Sequence, residues 1–302
     1  MKSLNEIMLC AQTRPNKTIA VACADDHEVM QAVSDAVRLN LAHFVLFGDE
    51  SKTRTIAQEL EFDLTNCELV NVPDKEQACL EAVKCVSSGK ADVLMKGIVD
   101  TAVIMKKVLD KEVGLRTDNL ISHVMVIQLP KFDRLIFLSD GAMNIDPSVE
   151  DLKKITKNAV KLAHNLGISR PKVACISAVE KVNPKMPSTI KCQEVEKMVE
   201  NLEIFQCDIC GPLAVDLALD KEAARIKNIK NPVAGNADIL IVPYIEVGNA
   251  LYKGWVFGCD NVKSAGIIVG AKAPIVLTSR ADSAESKLYS IALSVLLDKE
   301  NS

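Results

Sequence analysis

Short apolar runs bounded by polar residues recur along the whole chain, at a length typical of β-strands. In the first half of the chain they lie at residues 18–23, 43–47, 91–95, 124–129 and 134–138. In the second half they lie at residues 172–177, 205–210, 237–243, 266–269 and 274–278. We predict that each of these runs forms a strand.

Stretches with helical periodicity separate these runs. The segment from Asp26 to Leu39 places Val29, Val33 and Val37 on one face, as an amphipathic helix requires. Further helices are predicted at residues 74–87, 148–165 and 283–298. This alternation predicts an α/β fold with a mainly parallel sheet, in which ligands bind beyond the carboxyl ends of the strands.

Chain length and charge narrow the class of protein. The 302 residues are about twice a typical single domain of about 150, so we expect two domains, and no low-complexity linker separates them. The first 14 residues lack the apolar core of a secretory signal, and no run approaches the ~18 apolar residues of a membrane span. We therefore expect a cytoplasmic protein that does not cross a membrane. A net charge of -4 without clustered Lys and Arg argues against nucleic-acid binding.

The ten cysteines lie mostly in apolar runs, which predicts reduced thiols in the core. Cys207 and Cys210 form a CxxC pair, but no second pair or nearby histidine pair completes four zinc ligands. Buried thiols are the favoured interpretation of this pair, with a redox pair as the alternative. The four histidines lack metal-ligand spacing, so no metal site is predicted.

The segment after the run at 274–278 has the most residues with side chains suited to binding or catalysis. Ser279, Arg280 and Asp282 follow the strand directly and precede a predicted helix. A helix amino terminus and a planar guanidinium both bind phosphate oxygens, so this turn is a candidate anion site. Two interpretations of Asp282 stay open: it takes part in the chemistry, or it caps the helix together with Glu285.

Other strand ends contribute further candidates. Lys96 follows the run at 91–95, Asn144 lies in the segment after 134–138, and Lys185 lies in the segment after 172–177. Gly248, Asn249 and Lys253 come after the run at 237–243, where the glycine would let the backbone approach a ligand closely. In the alternative interpretation, Gly248 and Asn249 only mark the start of a helix. Each cluster alone is weak evidence because loop charges are usually solvated, but all of them lie at strand ends.

Several common motifs are missing from the sequence. No G-x-G-x-x-G follows a strand, and the glycines of residues 266–272 do not have P-loop spacing. G-x-S-x-G is also missing, so acyl-serine chemistry at a nucleophile elbow has no support.

Taken together, these segments resemble the phosphate acetyltransferase and phosphate butyryltransferase family over nearly the whole chain. The resemblance lies in Thr278-Ser279-Arg280, Gly248 to Lys253, Val233-Ala234-Gly235, Gly211-Pro212-Leu213 and Asp140 to Asn144. Segments 181–187 and 94–97 look like the butyryltransferase branch more than the acetyltransferase branch.

The resemblance implies an acyltransferase that exchanges coenzyme A and inorganic phosphate on a short acyl group, with butanoyl-CoA as the favoured substrate. It implies no tightly bound cofactor and a homodimer or higher homo-oligomer. It also implies two α/β domains with a cleft between them, in the fold shared with isocitrate and isopropylmalate dehydrogenases. The final strand and helix return to the first domain, so we expect domains of 1–138 plus 266–302 and of 139–265.

The resemblance also assigns roles to residues. Ser279 would stabilise the transition state and Arg280 would bind phosphate, while Lys96, Asn144, Lys185, Gly248, Asn249 and Lys253 are candidate substrate-binding residues. The family aspartate thought to deprotonate coenzyme A corresponds to Ser286 here, so Asp282 is the candidate base. Cys210 stands where the family commonly has aspartate.

Three alternatives stay open at this point. One is a phosphate acetyltransferase acting on acetyl-CoA. Another is a non-catalytic protein that binds or senses acyl-CoA, which the serine at position 286 keeps open. The third is a metal-dependent dehydrogenase of the same fold, which would need clustered aspartates; Asp216 and Asp220 are interpreted instead as a solvated helix face.

Overall fold

The computed structural model describes residues 1–14, 17–200, 205–278 and 282–298, in which helices and strands alternate. The strands are β1 (Lys17–Ala22), β2 (Ala42–Gly48), β3 (Cys67–Asn71), β4 (Val93–Lys96), β5 (Ser122–Gln128), β6 (Ile136–Ser139), β7 (Lys172–Ile176), β8 (Asp208–Leu213), β9 (Ile239–Ile241), β10 (Lys263–Val269) and β11 (Ile275–Val276). The helices are α1 (Leu4–Gln12), α2 (His27–Arg38), α3 (Glu50–Glu59), α4 (Lys75–Ser87), α5 (Thr101–Val108), α6 (Val149–Asn165), α7 (Pro187–Glu200), α8 (Val215–Leu219), α9 (Lys221–Ile226), α10 (Ile245–Gly258) and α11 (Ala284–Val295). The α/β class predicted from the sequence is confirmed.

Every predicted strand and helix overlaps an observed one, and the differences have local causes. Strand β3 was not predicted because it is half-exposed and carries polar residues, so its apolar pattern is weak. The sequence pattern ended strand β8 before Gly211 and Pro212. The observed strand continues past them, since Leu213 still pairs with Ile176 of β7. Helices α2 and α4 begin after Asp26 and Asp74, whose side chains accept from the first-turn N–H groups of Val29 and Gln77.

Contacts divide the chain into two compact units. The first unit is Asn5–Asn119 with Ala265–Ser302, and the second is Met1–Leu4 with Leu120–Ser264. These units assign residues 120–138 to the second unit, whereas the sequence-based boundary placed them in the first. The sequence-based domain boundaries and the cleft between the domains stay predictions.

In the first unit the strands are ordered β3-β2-β1-β4-β11-β10. All neighbours pair in parallel except β10 and β11, which are antiparallel. Because β4 and β11 pair in parallel, with Met95 opposite Val276, their carboxyl ends lie at the same edge. Lys96 and Thr278 therefore follow neighbouring strands.

In the second unit the order is β5-β6-β9-β7-β8, with only the β5 and β6 pair antiparallel. Apolar side chains from β6, β7 and β9 pack with α8 and α10 in one cluster that includes Leu138, Ile176, Leu217, Leu240 and Tyr252. The burial of these side chains contributes roughly 25 cal/mol of stability per Å² of apolar surface. It holds in place the strands that carry the candidate site. None of the helices in the part of the chain that the structure describes is long and apolar enough to cross a membrane.

Candidate active site

Three neighbouring parallel strands of the second unit end at one edge of the sheet. Ser139 at the end of β6 lies opposite Ile241 at the end of β9, and Ile241 lies opposite Cys175 near the end of β7. The segments that follow these strands carry Asn144, then Gly248, Asn249 and Lys253, and then Lys185, in the order β6, β9, β7. The predicted substrate-binding residues of this unit therefore follow three adjacent strand ends, as the sequence pattern indicated.

Asp140 organises the loop that follows β6. It is 2% exposed, and its carboxylate accepts hydrogen bonds from the backbone N–H groups of His123 at 3.1 Å, Ala142 at 2.8 Å and Met143 at 3.0 Å. The side-chain amide of Asn144 donates to the same carboxylate at 2.6 Å. A buried carboxylate holds the groups that donate to it in place, because the loss of a hydrogen bond would leave a buried polar group unpaired. Asp140 thus holds Asn144 in one orientation.

Helix α10 packs directly on this loop. It begins at Ile245, three residues before the start that the sequence suggested, so Gly248 and Asn249 lie inside the helix. A Cβ at Gly248 would stand 2.9 Å from the carbonyl oxygen of Asp140 and 2.9 Å from the Cα of Gly141. The side-chain amide of Asn249 donates to the carbonyl oxygen of Gly141 at 3.2 Å. The close approach predicted for Gly248 is therefore to the loop of the protein itself, and its contact with a substrate stays a prediction.

The lysines predicted to bind substrate differ in their surroundings. Lys185 and Lys253 are exposed. Lys96, at the end of β4 in the first unit, is only 4% exposed, and its ammonium donates to the carbonyl oxygens of Gly97 and Val99, both at 3.1 Å. Lys96 therefore orders the turn after β4, and its role in substrate binding stays a prediction.

The segment after β11 contains the residues predicted to be catalytic. Ser279 and Arg280 lie outside the described residues. Asp282 is half-buried, and its backbone carbonyl accepts a hydrogen bond from the ammonium of Lys287, a residue of α11 that is 3% exposed. These contacts place Asp282 directly before α11.

The capping interpretation of Asp282 is wrong. The N-cap of α11 is Ser283, whose hydroxyl accepts from the N–H of Ser286 at 3.2 Å. Asp282 precedes the cap by one residue, so its carboxylate is not needed for the helix start. Asp282 and Ser283 are adjacent and are both residue types that cap helices, and only the backbone geometry decides which of them does so.

Comparisons with known proteins bear on these segments together. The family model described as phosphate acetyl/butaryl transferase matches residues 3–81 and 75–295, nearly the whole chain. The chain belongs to this family. The family predicted from the sequence is confirmed, and with it the enzyme class, a phosphate acyltransferase.

Individual relatives are similar over their full length. The chain is 48% identical to the phosphate butyryltransferase of Clostridium acetobutylicum over 297 residues, which cover 98% of each protein. It is 44% identical to the phosphate acetyltransferase of Thermotoga maritima, covering 93% of this chain and 95% of that protein. The crystal structure of a branched-chain phosphotransacylase from Enterococcus faecalis matches with a TM-score of 0.82 and 36% identity, over 93% of this chain and 98% of that one.

The family resemblance implies departures from the family pattern at Ser286 and Cys210, and the structure describes both residues. Ser286 lies in the first turn of α11, and its carbonyl oxygen accepts from the hydroxyl of Ser290 at 2.8 Å. Cys210 lies in β8, where burial raises the pKa of its thiol to about 12 and the nearby Glu196 adds to the effect.

The thiol of Cys207 is affected in the same way, since burial raises its pKa to about 11. Thiols with such pKa values are protonated at neutral pH, and the thiolate is the reactive form. The raised pKa values argue against a redox pair, but both side chains are partly buried and not fully buried as predicted. Within the described ranges 1–14, 17–200, 205–278 and 282–298, no three His, Cys, Asp or Glu side chains lie close enough together to hold a metal ion.

Sequence reasoning missed Asp140 and a lysine on α7, Lys191, which contacts the end of the Asp140 loop. Asp140 had a signal, because an aspartate directly between an apolar strand and a glycine commonly organises a strand-end loop. Lys191 had none, since nothing in its neighbourhood in sequence distinguishes it from Lys197, the other lysine of α7.

Proposed function

We propose that this chain exchanges coenzyme A for inorganic phosphate on a short acyl group and prefers butanoyl-CoA, so that butanoyl-CoA and phosphate give butanoyl phosphate and free coenzyme A. The single observation that supports this chain length is the 48% identity, over 98% of both proteins, with a phosphate butyryltransferase. The 44% identity with a phosphate acetyltransferase keeps acetyl-CoA as the second candidate substrate.

The chemistry is a direct acyl transfer within a complex that holds both substrates. In the direction of acyl-CoA synthesis, the coenzyme A thiol loses its proton to a base, and the thiolate attacks the carbonyl carbon of the acyl phosphate. The tetrahedral oxyanion then collapses, the carbon–oxygen bond to phosphate breaks, and phosphate leaves with the electron pair. A thiol with a pKa of about 8.5 is mostly protonated at neutral pH, so a positioned base contributes about 10²- to 10⁴-fold in rate.

We assign these steps to the segment between β11 and α11 and to the turns at the other strand ends. Asp282 is the proposed base, since it is the carboxylate that follows Ser279 and Arg280 in the chain. Ser279 would stabilise the oxyanion, and Arg280 would hold the leaving phosphate through its planar fork. Asn144, fixed by Asp140, and Asn249, fixed on Gly141, would orient the substrate through their amides.

The remaining substrate-binding proposals concern Lys96, Lys185, Gly248 and Lys253. The exposed ammonium groups of Lys185 and Lys253 suit the phosphates of coenzyme A, because a phosphate needs a positive partner at the surface. Gly248 contributes by keeping α10 close to the Asp140 loop. We further propose a cytoplasmic homodimer, or a higher homo-oligomer, without a tightly bound cofactor.

One assay distinguishes the proposed activity from its rivals. The protein is incubated with butanoyl-CoA and phosphate, and free thiol is followed with a colorimetric disulfide reagent. Phosphate-dependent thiol release is expected, and a comparison of acetyl-, propionyl-, butanoyl- and branched acyl-CoA ranks the chain lengths. One methylene is worth only about 1–3 kcal/mol, so the ranking is measured as ratios of kcat/KM. Coenzyme A binding without release would favour a sensor, and reduction of a nicotinamide cofactor would favour a dehydrogenase.

Replacement of Arg280 tests the phosphate site. We expect Arg280→Ala to raise the KM for phosphate by at least about tenfold, because a charge-assisted bidentate contact is lost. The matched control is Arg225→Ala, which removes an exposed arginine that pairs with Glu222 on α9. An Arg280→Ala enzyme with the same phosphate KM as this control would refute the assignment.

A further inference from the structure

We propose that Lys191 is a positioning residue for the active site, which fixes the far end of the loop that presents Asn144. The inference rests on the proposed role of Asn144 in substrate binding.

The ammonium of Lys191 contacts three partners from two other segments of the second unit. It donates to the carboxylate of Asp146 and, at 2.9 Å, to the carbonyl oxygen of Pro147, and it lies 4.6 Å from the centre of the Tyr244 ring. Asp146 and Pro147 end the loop that begins at Asp140, and Tyr244 is the N-cap of α10. One side chain on α7 thus joins the segment after β6 to the segment after β9.

The ion pair with Asp146 is only one part of the Lys191 contacts. The side chain of Lys191 is 20% exposed, whereas that of its partner Asp146 is 70% exposed. An ion pair with so exposed a partner contributes little to stability. The carbonyl and ring contacts are directional and less exposed to water, so they carry most of the positional constraint.

Contacts hold both ends of the loop from Asp140 to Pro147. At its first end, the Asp140 carboxylate and the packing of Gly248 hold it. At its far end, Lys191 holds Pro147, and the N–H of Ile245 donates to the carbonyl oxygen of Ile145 at 3.0 Å. Asn144 lies between these attachments. Loss of the Lys191 contacts would leave the far end with the Ile245 hydrogen bond, while Asn144 keeps its own bonds to Asp140 and to the carbonyl oxygen of Ile121.

The first turns of α7 also hold the neighbouring candidate loop. The hydroxyl of Thr189, which is fully buried, accepts from the N–H of Asn183 at 2.9 Å and donates to the carbonyl oxygen of Met186 at 2.7 Å. Lys185 lies between these two residues. The same end of α7 therefore holds the loop of Lys185 through Thr189 and the loop of Asn144 through Lys191.

The test compares Lys191→Met with Lys197→Met, a variant of an exposed lysine on the same helix. Methionine keeps the apolar stem of the side chain and removes the ammonium. We expect Lys191→Met to lower kcat/KM for the acyl-CoA and phosphate reaction by about tenfold or more, because misplaced substrate-orienting groups are costly. The melting temperature should stay within a few degrees of the control, since no core contact is lost. Lys191→Arg should recover activity to within about threefold, because a guanidinium also donates and stacks on an aromatic ring.

A double-mutant cycle with Asn144→Ala separates positioning from a structural role. If Lys191 acts through Asn144, Lys191→Met should cost much less in the Asn144→Ala background than in the parent enzyme. Equal losses in both backgrounds would overturn the inference, as would a Lys191→Met enzyme as active as the Lys197→Met control. If Asn144→Ala alone keeps the activity of the parent enzyme, the proposed role of Asn144 is wrong. The inference about Lys191 then fails with it. This single variant therefore tests the role of Asn144 separately from that of Lys191.

Should Lys191→Met not fold, Tyr244→Leu carries the same test, because it removes the ring and keeps the lysine. A loss of about threefold is expected from the missing cation–π contact, again smaller in the Asn144→Ala background. Additive losses in this cycle would also overturn the inference.

Discussion

Ser283 and Asp282 are adjacent residues of similar chemistry with different structural roles. The Ser283 hydroxyl accepts from an N–H in the first turn of α11, whereas Asp282 stands one residue outside the helix. A cap contributes to stability whether or not substrate is present, and a general base contributes only to the reaction. The two residues can therefore be separated by measuring stability and activity independently.

We expect Ser283→Ala to lower the free energy of unfolding by about 1 kcal/mol, the usual cost of a lost serine cap. Asp282→Asn keeps the size of this half-buried side chain and leaves the Ser283 cap in place, so we expect it to change the unfolding free energy by less than Ser283→Ala does. The kcat of the Asp282→Asn variant should fall by about 100-fold or more, because an amide cannot accept the thiol proton. Urea titration and steady-state kinetics of both variants check this, and full activity of Asp282→Asn would require another base.

Asp140 and Lys191 show what single residues decide beyond their own positions. Each is polar and largely buried, and each holds one end of the loop that carries Asn144. Neither was predicted to belong to the site. The contacts of Lys191 depend on the strand order β6-β9-β7, which one sequence does not specify, whereas those of Asp140 lie mostly within its own loop.

At the scale of elements, the packing of α10 on the loop after β6 shapes the candidate site. Gly248 allows the helix backbone to touch Asp140 and Gly141, and no side chain fits between them. Gly254, six residues further along the same helix, has no atom within 4 Å of the position its Cβ would take. Gly258, at the end of the helix, also has nothing within 4 Å of that position, so Gly248 is the glycine of α10 with a steric requirement.

We expect Gly248→Ala to destabilise the fold by about 1–3 kcal/mol, because the new methyl group meets backbone atoms that cannot move independently. Catalytic activity should fall as well, since α10 and the Asp140 loop must separate. Gly254→Ala is the control and should stabilise the fold by about 0.5–1 kcal/mol, through its better helix propensity. Thermal unfolding and kcat/KM of the two variants test this, and equal behaviour of the pair would contradict the packing argument.

At the scale of the whole molecule, the chain combines two compact units of similar architecture. The first unit is assembled from both ends of the chain, since β10, β11 and α11 join strands from the first hundred residues. The candidate base Asp282 and Lys96 belong to this unit, and Asn144, Asn249 and Lys185 belong to the other. The predicted homodimer is a further level of assembly, implied by the family resemblance.

We expect light scattering coupled to size-exclusion chromatography to give a mass of twice the 32.8 kDa of the chain, or a higher even multiple. The mass should stay constant over a tenfold dilution around micromolar protein, as for an obligate dimer. A monomer mass at all concentrations would contradict the homodimer.

The sequence by itself determined the α/β class, the approximate positions of the strands and the family. Buried strands need apolar runs whatever their neighbours are, and the Thr278 to Arg280 and Gly248 to Lys253 segments are specific enough to identify relatives. The tertiary structure decided which residues meet: that Asp140 orients Asn144, that Gly248 packs on protein backbone, that Ser283 caps α11 and that Lys191 holds the loop end. These roles depend on strand order, helix starts and backbone direction, which arise from packing between segments far apart in the chain.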